Sequence, residues 1–244
     1  LQLYFDFSGY CDIAAGCARL LGIRLPVNFD SPYRSLSIGE FWKRWHITLT
    51  TFLRECLYFP LGGSKKGTAR TYVNILIIFL VSGFWHGAGW TFLFWGLLHG
   101  LGQVAERMLG DRLGRIPKPA RWCLTFAFVN VAWVFFRAPD LAGAVRLLGT
   151  ALTGVMARPG GWLLHGLFAK ETGALQMLLP AVKPWMDLVR IVLLYGTGMA
   201  VVLLPVNTAV RMEHFHPKWW QGAALAVLTA WSVLSFTGIT TFIY

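Results

Sequence analysis

The sequence predicts an all-α integral membrane protein, and three observations carry that prediction. The stretch Thr71–Ala105, TYVNILIIFLVSGFWHGAGWTFLFWGLLHGLGQVA, holds no Asp, Glu, Lys or Arg and is bounded by Arg70 and Glu106. Hydrophobic residues make up 56% of the chain and charged residues only 14%, with a mean hydropathy of +0.54, where soluble domains carry about a quarter charged residues. Of the 12 tryptophans among 244 residues, many lie near charged or glycine-rich segment ends, as in an interfacial aromatic belt.

The chain opens inside an apolar run, Leu1-Gln2-Leu3-Tyr4, without an initiating Met or a signal peptide. It therefore reads as a fragment of a longer membrane protein that lacks its N-terminal portion. Residues 1–22 form an apolar helix with Asp6 and Asp12 embedded in it. At 100° per residue these carboxylates lie roughly 240° apart and cannot share a face. Asp12 aligns with Arg19 seven positions on, but the favoured reading of both carboxylates is neutralisation by partners inside a helical bundle. Arg24 to Tyr33 is loop, since Pro26, Pro32, Asn28 and Asp30 forbid a regular element.

Ser37-Ile38-Gly39-Glu40 has capping-box spacing and starts a helix. Projected at the helical period from Phe41 to Phe59, it gathers Phe41, Trp42, Trp45, Leu49, Phe52, Leu53, Cys56 and Leu57 on one arc. Lys43, Arg44, Thr50, Thr51, Arg54 and Glu55 fall opposite. That is too much charge for a crossing, so the helix is expected to lie in the interface or to re-enter. His46 falls at the margin of the apolar arc, where a merely solvated face does not account for it.

The uncharged stretch is too long for one crossing and tight for two. In its middle, Gly83, Gly87 and Gly89 weaken the helix around His86, which places an imidazole near a chain reversal deep in an apolar slab. Two readings of His86 stay open: a functional group, or a passenger beside close-packing Gly83-x-x-x-Gly87 and Gly96-x-x-x-Gly100 faces. For His99 the hydrogen-bonded packing role is favoured.

Basic residues cluster in Ser64–Arg70 and in Arg107–Arg121, as in cytoplasmic loops, so the stretch between should cross an even number of times or re-enter. Net charge is +11, but no basic run is interleaved with a base-reading surface, which excludes nucleic acid as a partner. Cys11, Cys17, Cys56 and Cys123 lack paired spacing and read as small buried side chains.

Trp122–Phe136 is a short crossing between snorkelling arginines, residues 140–157 are helical, and residues 158–187 are an extramembrane loop containing an incidental His165. Ile191–Val206 and Trp219–Ile239 are further spans. His214-Phe215-His216 reads as an interfacial pair, and no metal is expected.

Two histidines thus stand among tryptophans, in Phe41-Trp42-Lys43-Arg44-Trp45-His46 and in Gly83-Phe84-Trp85-His86-Gly87. These motifs resemble the membrane-bound O-acyltransferase (MBOAT) family, in its bacterial alginate O-acetyltransferase-like branch. The resemblance runs through Tyr4–Tyr10, LGIRLPVNFDSPYRS ending at Ser35, EFWKRWHITL from Glu40, LYFPLGG from Leu57, SGFWHG from Ser82 and the closing Thr241–Tyr244. It is strong over residues 1–100 and only general over 106–240. Cys11 and Glu55-Cys56 depart from it where relatives often have Ser and Asp-Tyr.

The resemblance implies an MBOAT-type multi-pass helical core with re-entrant or interfacial helices, here one membrane-embedded catalytic region over residues 1–244. It implies a catalytic His86 and a second active-site histidine, His46. No cofactor is expected to be bound, and acetyl-CoA is the implied acyl donor. The implied setting is the bacterial inner membrane, with an exopolysaccharide acceptor (alginate first), membrane lipids, and periplasmic or membrane-anchored SGNH-type acetyltransferase partners.

The chemistry suits the residue type, since a neutral imidazole can take a hydroxyl proton and return it to a leaving thiolate. No G-x-S-x-G supports a serine nucleophile. Two rivals from other classes are a transporter or polysaccharide-export channel, because broken helices with midplane polar groups also mark transporters, and a purely structural subunit of a synthase complex.

Overall fold

The computed structural model describes residues 1–154, 177, 186–203, 208 and 218–235. Among the described residues every regular element is helical, and β-type pairing is confined to an isolated antiparallel bridge between Phe29 and Trp45. The helices are α1 (Gln2–Leu20), α2 (Ile38–Arg44), α3 (Ile47–Leu53), α4 (Thr68–His86), α5 (Trp90–Leu109), α6 (Lys118–Arg137), α7 (Leu141–Thr153), α8 (Met186–Val202) and α9 (Trp219–Ser235). Short 3-10 turns cover Pro32–Arg34 and Gly110–Arg115, and a π-helical turn covers Arg54–Tyr58.

The chain divides into two compact units, one built on Ile13–Val155 and the other on Leu1–Asp12 with Met156–Ile243. In the second, α8 and α9 have 17 residues each, at the short end for a crossing. Asp12 does not pair with Arg19, because seven residues advance about 10.5 Å along a helix, beyond the reach of a short carboxylate. It takes a hydrogen bond from Thr208 instead. His165, His214, His216 and Thr241–Tyr244 lie outside the described residues.

The first unit is organised on α4, α5 and α6. The uncharged stretch makes two legs, and it does so without crowding because both helices extend past it into flanking polar residues. α4 has 19 residues and α5 has 20, each about 30 Å long. Among the described residues, α4 and α6 are long and apolar enough to cross a membrane. α6 runs four residues further than expected at its N-terminal side and contains both flanking arginines, Arg121 and Arg137.

Glycine packs α4 onto α5. A Cβ at Gly96 would strike the Phe79 carbonyl, and one at Gly83 the Phe92 carbonyl, so the two backbones meet where only hydrogen fits. Gly96→Leu is therefore expected to unfold or separate the pair. Overpacking a well-packed site costs about 1–3 kcal/mol, and here the obstacle is backbone rather than a movable side chain. Monodispersity and thermal unfolding in detergent would register it; a Gly96→Leu protein as stable as wild type would mean the helices are not held this way.

α2 begins as its sequence predicts. Ser37 accepts from the Glu40 backbone N–H at 3.0 Å, and Glu40 Oε2 accepts from the Leu36 N–H at 2.9 Å, so the box closes one residue early. Glu106, at the end of α5, adds its carboxylate to the same helix N-terminus by accepting from the Ile38 and Gly39 N–H groups, a favourable place for negative charge. From α6, Arg121 donates to the Leu36 carbonyl and Trp122 to that of Tyr33 at 2.7 Å, fixing the segment before α2.

The expected single helix over Phe41–Phe59 is broken. α2 stops at Arg44, Trp45 is extended, and His46 has φ 45° and ψ 55° before α3 begins. Phe41, Trp42 and Trp45 are buried as the projection requires, but Phe52 is 59% exposed and Cys56 is exposed, because the break resets the phase of the apolar arc. The cysteines depart from expectation too. Cys17, Cys56 and Cys123 are exposed and Cys11 is half-buried, so their apolar surroundings in sequence reflect outward-facing helix surfaces rather than a core.

Candidate functional site

The break at His46 is made by a loop. Residues 28–30 lie alongside 44–47: the Asp30 N–H donates to the Arg44 carbonyl at 2.9 Å and the Ile47 N–H to the Asn28 carbonyl at 3.0 Å. These bonds satisfy backbone groups that a continuous helix would have satisfied internally. Trp45 anchors the break, 4% exposed, with its ring 4.9 Å from Trp133, 5.0 Å from Phe29 and stacked at 5.5 Å on Phe41. With Trp45 held inward, the next residue is forced into the left-handed region, which is uncommon for a residue other than glycine and is found where the surroundings over-determine it.

The Asn28 side chain completes the arrangement. Its Oδ1 accepts from the Thr48 N–H at 3.2 Å and the Thr48 hydroxyl at 2.7 Å, and lies 3.2 Å from His46 Nδ1. Burial lowers the His46 pKa to about 4, so the ring is neutral at physiological pH.

The second histidine ends α4. His86 is the last residue of that helix, followed by Gly87-Ala88-Gly89 and then α5. Its ring is boxed by Trp85 at 4.8 Å, Phe136 at 5.1 Å and Trp95 at 5.2 Å, each roughly perpendicular to it. His46 meets the same indole, with its ring 6.4 Å from that of Trp85. The structure thus brings His46 and His86 to one tryptophan, although 40 positions separate them.

His99 is placed elsewhere. It is fully buried and accepts through Nδ1 from Trp42 Nε1 at 3.1 Å, the packing role expected of it. It meets the His86 box at Trp95, whose ring lies 5.2 Å from each histidine.

Gly87 is extended, with φ 164°, so its backbone makes no demand for glycine. Space does: a Cβ there would lie 2.6 Å from the Phe92 ring, which packs at 5.1 Å on Phe136. Gly89 has an ordinary φ of −89° and room for a Cβ. We expect Gly87→Ala to push Phe92 and Phe136 against His86 and lower kcat about ten- to a hundredfold while the protein stays folded. Gly89→Ala should remain near wild type. Equal turnover in the two variants would disconnect the turn from the site.

A cavity of about 640 Å³ opens beside these elements. Its lining includes Lys43, Arg54, Arg107 and Arg121, together with Trp42 and Ser82, the latter one helical turn before His86. Two of its acids are already engaged, Glu40 with Arg44 and Glu106 at the start of α2.

Asn28, Thr48, Trp95, Phe136 and Glu106 all matter to this geometry and were not singled out from sequence. A signal existed for Asn28 and Thr48, which lie inside the LGIRLPVNFDSPYRS and EFWKRWHITL runs.

The fold and site define a helical membrane protein with two histidines gathered at the broken end of a membrane-length helix. Residues 1–142 match the model of the membrane-bound O-acyltransferase family. The chain is 52% identical over 151 residues to a Helicobacter pylori protein named Peptidoglycan O-acetyltransferase, an alignment covering 60% of this chain and 29% of that protein. It is 46% identical over 177 residues to a Pseudomonas putida protein named Probable alginate O-acetylase AlgI, covering 72% of this chain and 36% of that one. A Streptococcus thermophilus protein named Teichoic acid D-alanyltransferase is 37% identical over 110 residues, covering 42% and 26%. The chain spans about a third of the length of these relatives. It belongs to the membrane-bound O-acyltransferase family.

Proposed function

We propose that this chain forms the catalytic core of a multi-pass O-acetyltransferase of the bacterial inner membrane, moving acetyl from cytoplasmic acetyl-CoA toward hydroxyls of an exported polysaccharide, alginate first. The observation that carries this reading is the meeting of His46 and His86 at Trp85, at the broken end of α4. In the reaction, the acceptor hydroxyl oxygen attacks the thioester carbonyl while His86 takes its proton. The tetrahedral intermediate collapses with cleavage of the C–S bond, and the proton returns to the departing thiolate. The buried Trp95 and Phe136 walls of the box limit water at the thioester and so slow its hydrolysis.

The basic cavity suits the phosphates of the donor, with Lys43, Arg54, Arg107 and Arg121 at its walls; neither histidine lines it, and Ser82 is the lining residue one turn of α4 from His86. α2 and α3, interrupted and carrying charge, form the re-entrant or interfacial element that brings His46 to α4. Periplasmic or membrane-anchored SGNH-type acetyltransferases are proposed as partners that take the acetyl onward. Peptidoglycan is the second acceptor to consider, because the 52%-identical relative is named for it.

Membranes holding the full-length protein, supplied with acetyl-labelled acetyl-CoA and either alginate oligosaccharides or peptidoglycan strands, test the reading. Label on alginate is the expected result. Label on peptidoglycan alone would reassign the acceptor. No label on either, in membranes whose polymer secretion depends on the protein, would favour the export-channel reading.

A further inference from the structure

We propose that Asn28 holds His46 in its Nδ1-protonated tautomer, so that His46 presents a lone pair at Nε2 and orients the acceptor through a hydroxyl beside the attacking one, rather than polarising the acyl carbonyl. This rests on the acyl-transfer reading and specifies the task of the second histidine within it.

The orientation of the Asn28 amide is decided by its neighbours. Thr48 offers a backbone N–H at 3.2 Å, a group that can only donate. An amide nitrogen in the position of Oδ1 would face that N–H donor to donor, so the oxygen is the atom that belongs there. The Thr48 hydroxyl donates to the same oxygen at 2.7 Å, which commits its hydrogen. His46 Nδ1 lies 3.2 Å from this oxygen. Two atoms with lone pairs facing each other at that distance repel, so Nδ1 must carry the hydrogen. A neutral imidazole protonated at Nδ1 has its lone pair on Nε2.

The backbone enforces the same choice. The bonds between 28–30 and 44–47, with the left-handed backbone of His46, fix Asn28 and the imidazole in register. Free histidine in water prefers the Nε2–H form, so the loop holds the ring against its intrinsic preference. The consequence for the reaction is chemical. A lone pair at Nε2 can accept a hydrogen bond from a hydroxyl of the acceptor next to the one that gives its proton to His86, but it has no hydrogen to offer a carbonyl oxygen or the oxyanion that forms from it. Asn28 is accordingly a positioning residue, acting through His46.

The tautomer can be read without any mutation of the lock. In full-length protein labelled with ¹⁵N at the histidine rings, His46 is assigned by the signals lost in His46→Gln. The expected pattern is a protonated-type Nδ1 and an unprotonated-type Nε2. Asn28→Ala should shift that pattern toward Nε2–H and lower kcat about a hundredfold with KM for acetyl-CoA unchanged, as for a displaced orienting group. Asn28→Asp, which keeps an acceptor oxygen, should retain the Nδ1 hydrogen and recover part of the rate. An Nε2–H pattern in the wild-type protein overturns the proposal, as does an Asn28→Ala protein whose His46 pattern is unchanged. A wild-type protein with the Nδ1–H pattern that transfers no acetyl overturns the acyl-transfer reading and His46's role in it, while the lock itself stands.

Discussion

His86→Ala lowers acetylation of the polymer by about two to four orders of magnitude while the protein remains in the membrane at its normal level. This is the largest effect expected of any single substitution here. A positioned acid–base group contributes about 10²–10⁴-fold to rate, and His46, across Trp85, serves to orient the acceptor rather than to take its attacking proton. The fold should survive, because Trp85, Trp95 and Phe136 touch His86 from three sides and Trp95 also packs on Phe136 at 5.2 Å. Acetyl content of secreted polymer, normalised to protein extracted in detergent, is the measurement. Wild-type acetylation in that variant would end the claim that His86 is the base.

The second-largest effect falls on His46 and depends on what replaces it. Alanine should cost about a hundredfold, since orientation within the site is lost. Glutamine should keep a measurable fraction, because its side-chain oxygen can accept a hydrogen bond near the position of Nε2. Asparagine suits the left-handed backbone of residue 46 better, yet its amide is too short to reach that position. Equal and complete loss in all three would make His46 a proton carrier rather than an orienting group.

Much of this site was legible in sequence because its signals are local. Three glycines around His86 in an uncharged stretch announce a broken apolar helix, and the structure ends α4 at His86 itself. Ser37 and Glu40 announce the start of α2 in the same way. The break at Trp45–His46 was not legible, for two physical reasons. Helical periodicity continues through it, so the projection of Phe41–Phe59 looks uninterrupted. What breaks it is tertiary: residues 28–30 supply the backbone bonds, and Trp45 is drawn into a cluster that includes Trp133, nearly 90 positions away. A histidine at positive φ carries no mark that a glycine would have carried. Glu106 was visible only as the end of the uncharged stretch; its role at the start of α2 depends on the fold of α5 back over that helix. The demand for glycine at Gly87 comes from the ring of Phe92, which only the fold brings there.

The claim that joins these elements is that His46 and His86 act as one site. A double-mutant cycle measures it directly, using turnover of acetyl-CoA by the full-length protein with acceptor present. Groups that serve a single transition state are strongly non-additive. His46→Ala/His86→Ala should therefore be no slower than His86→Ala alone. A double variant slowed by the product of the two single effects would show that the histidines act independently, and would contradict a shared site at Trp85.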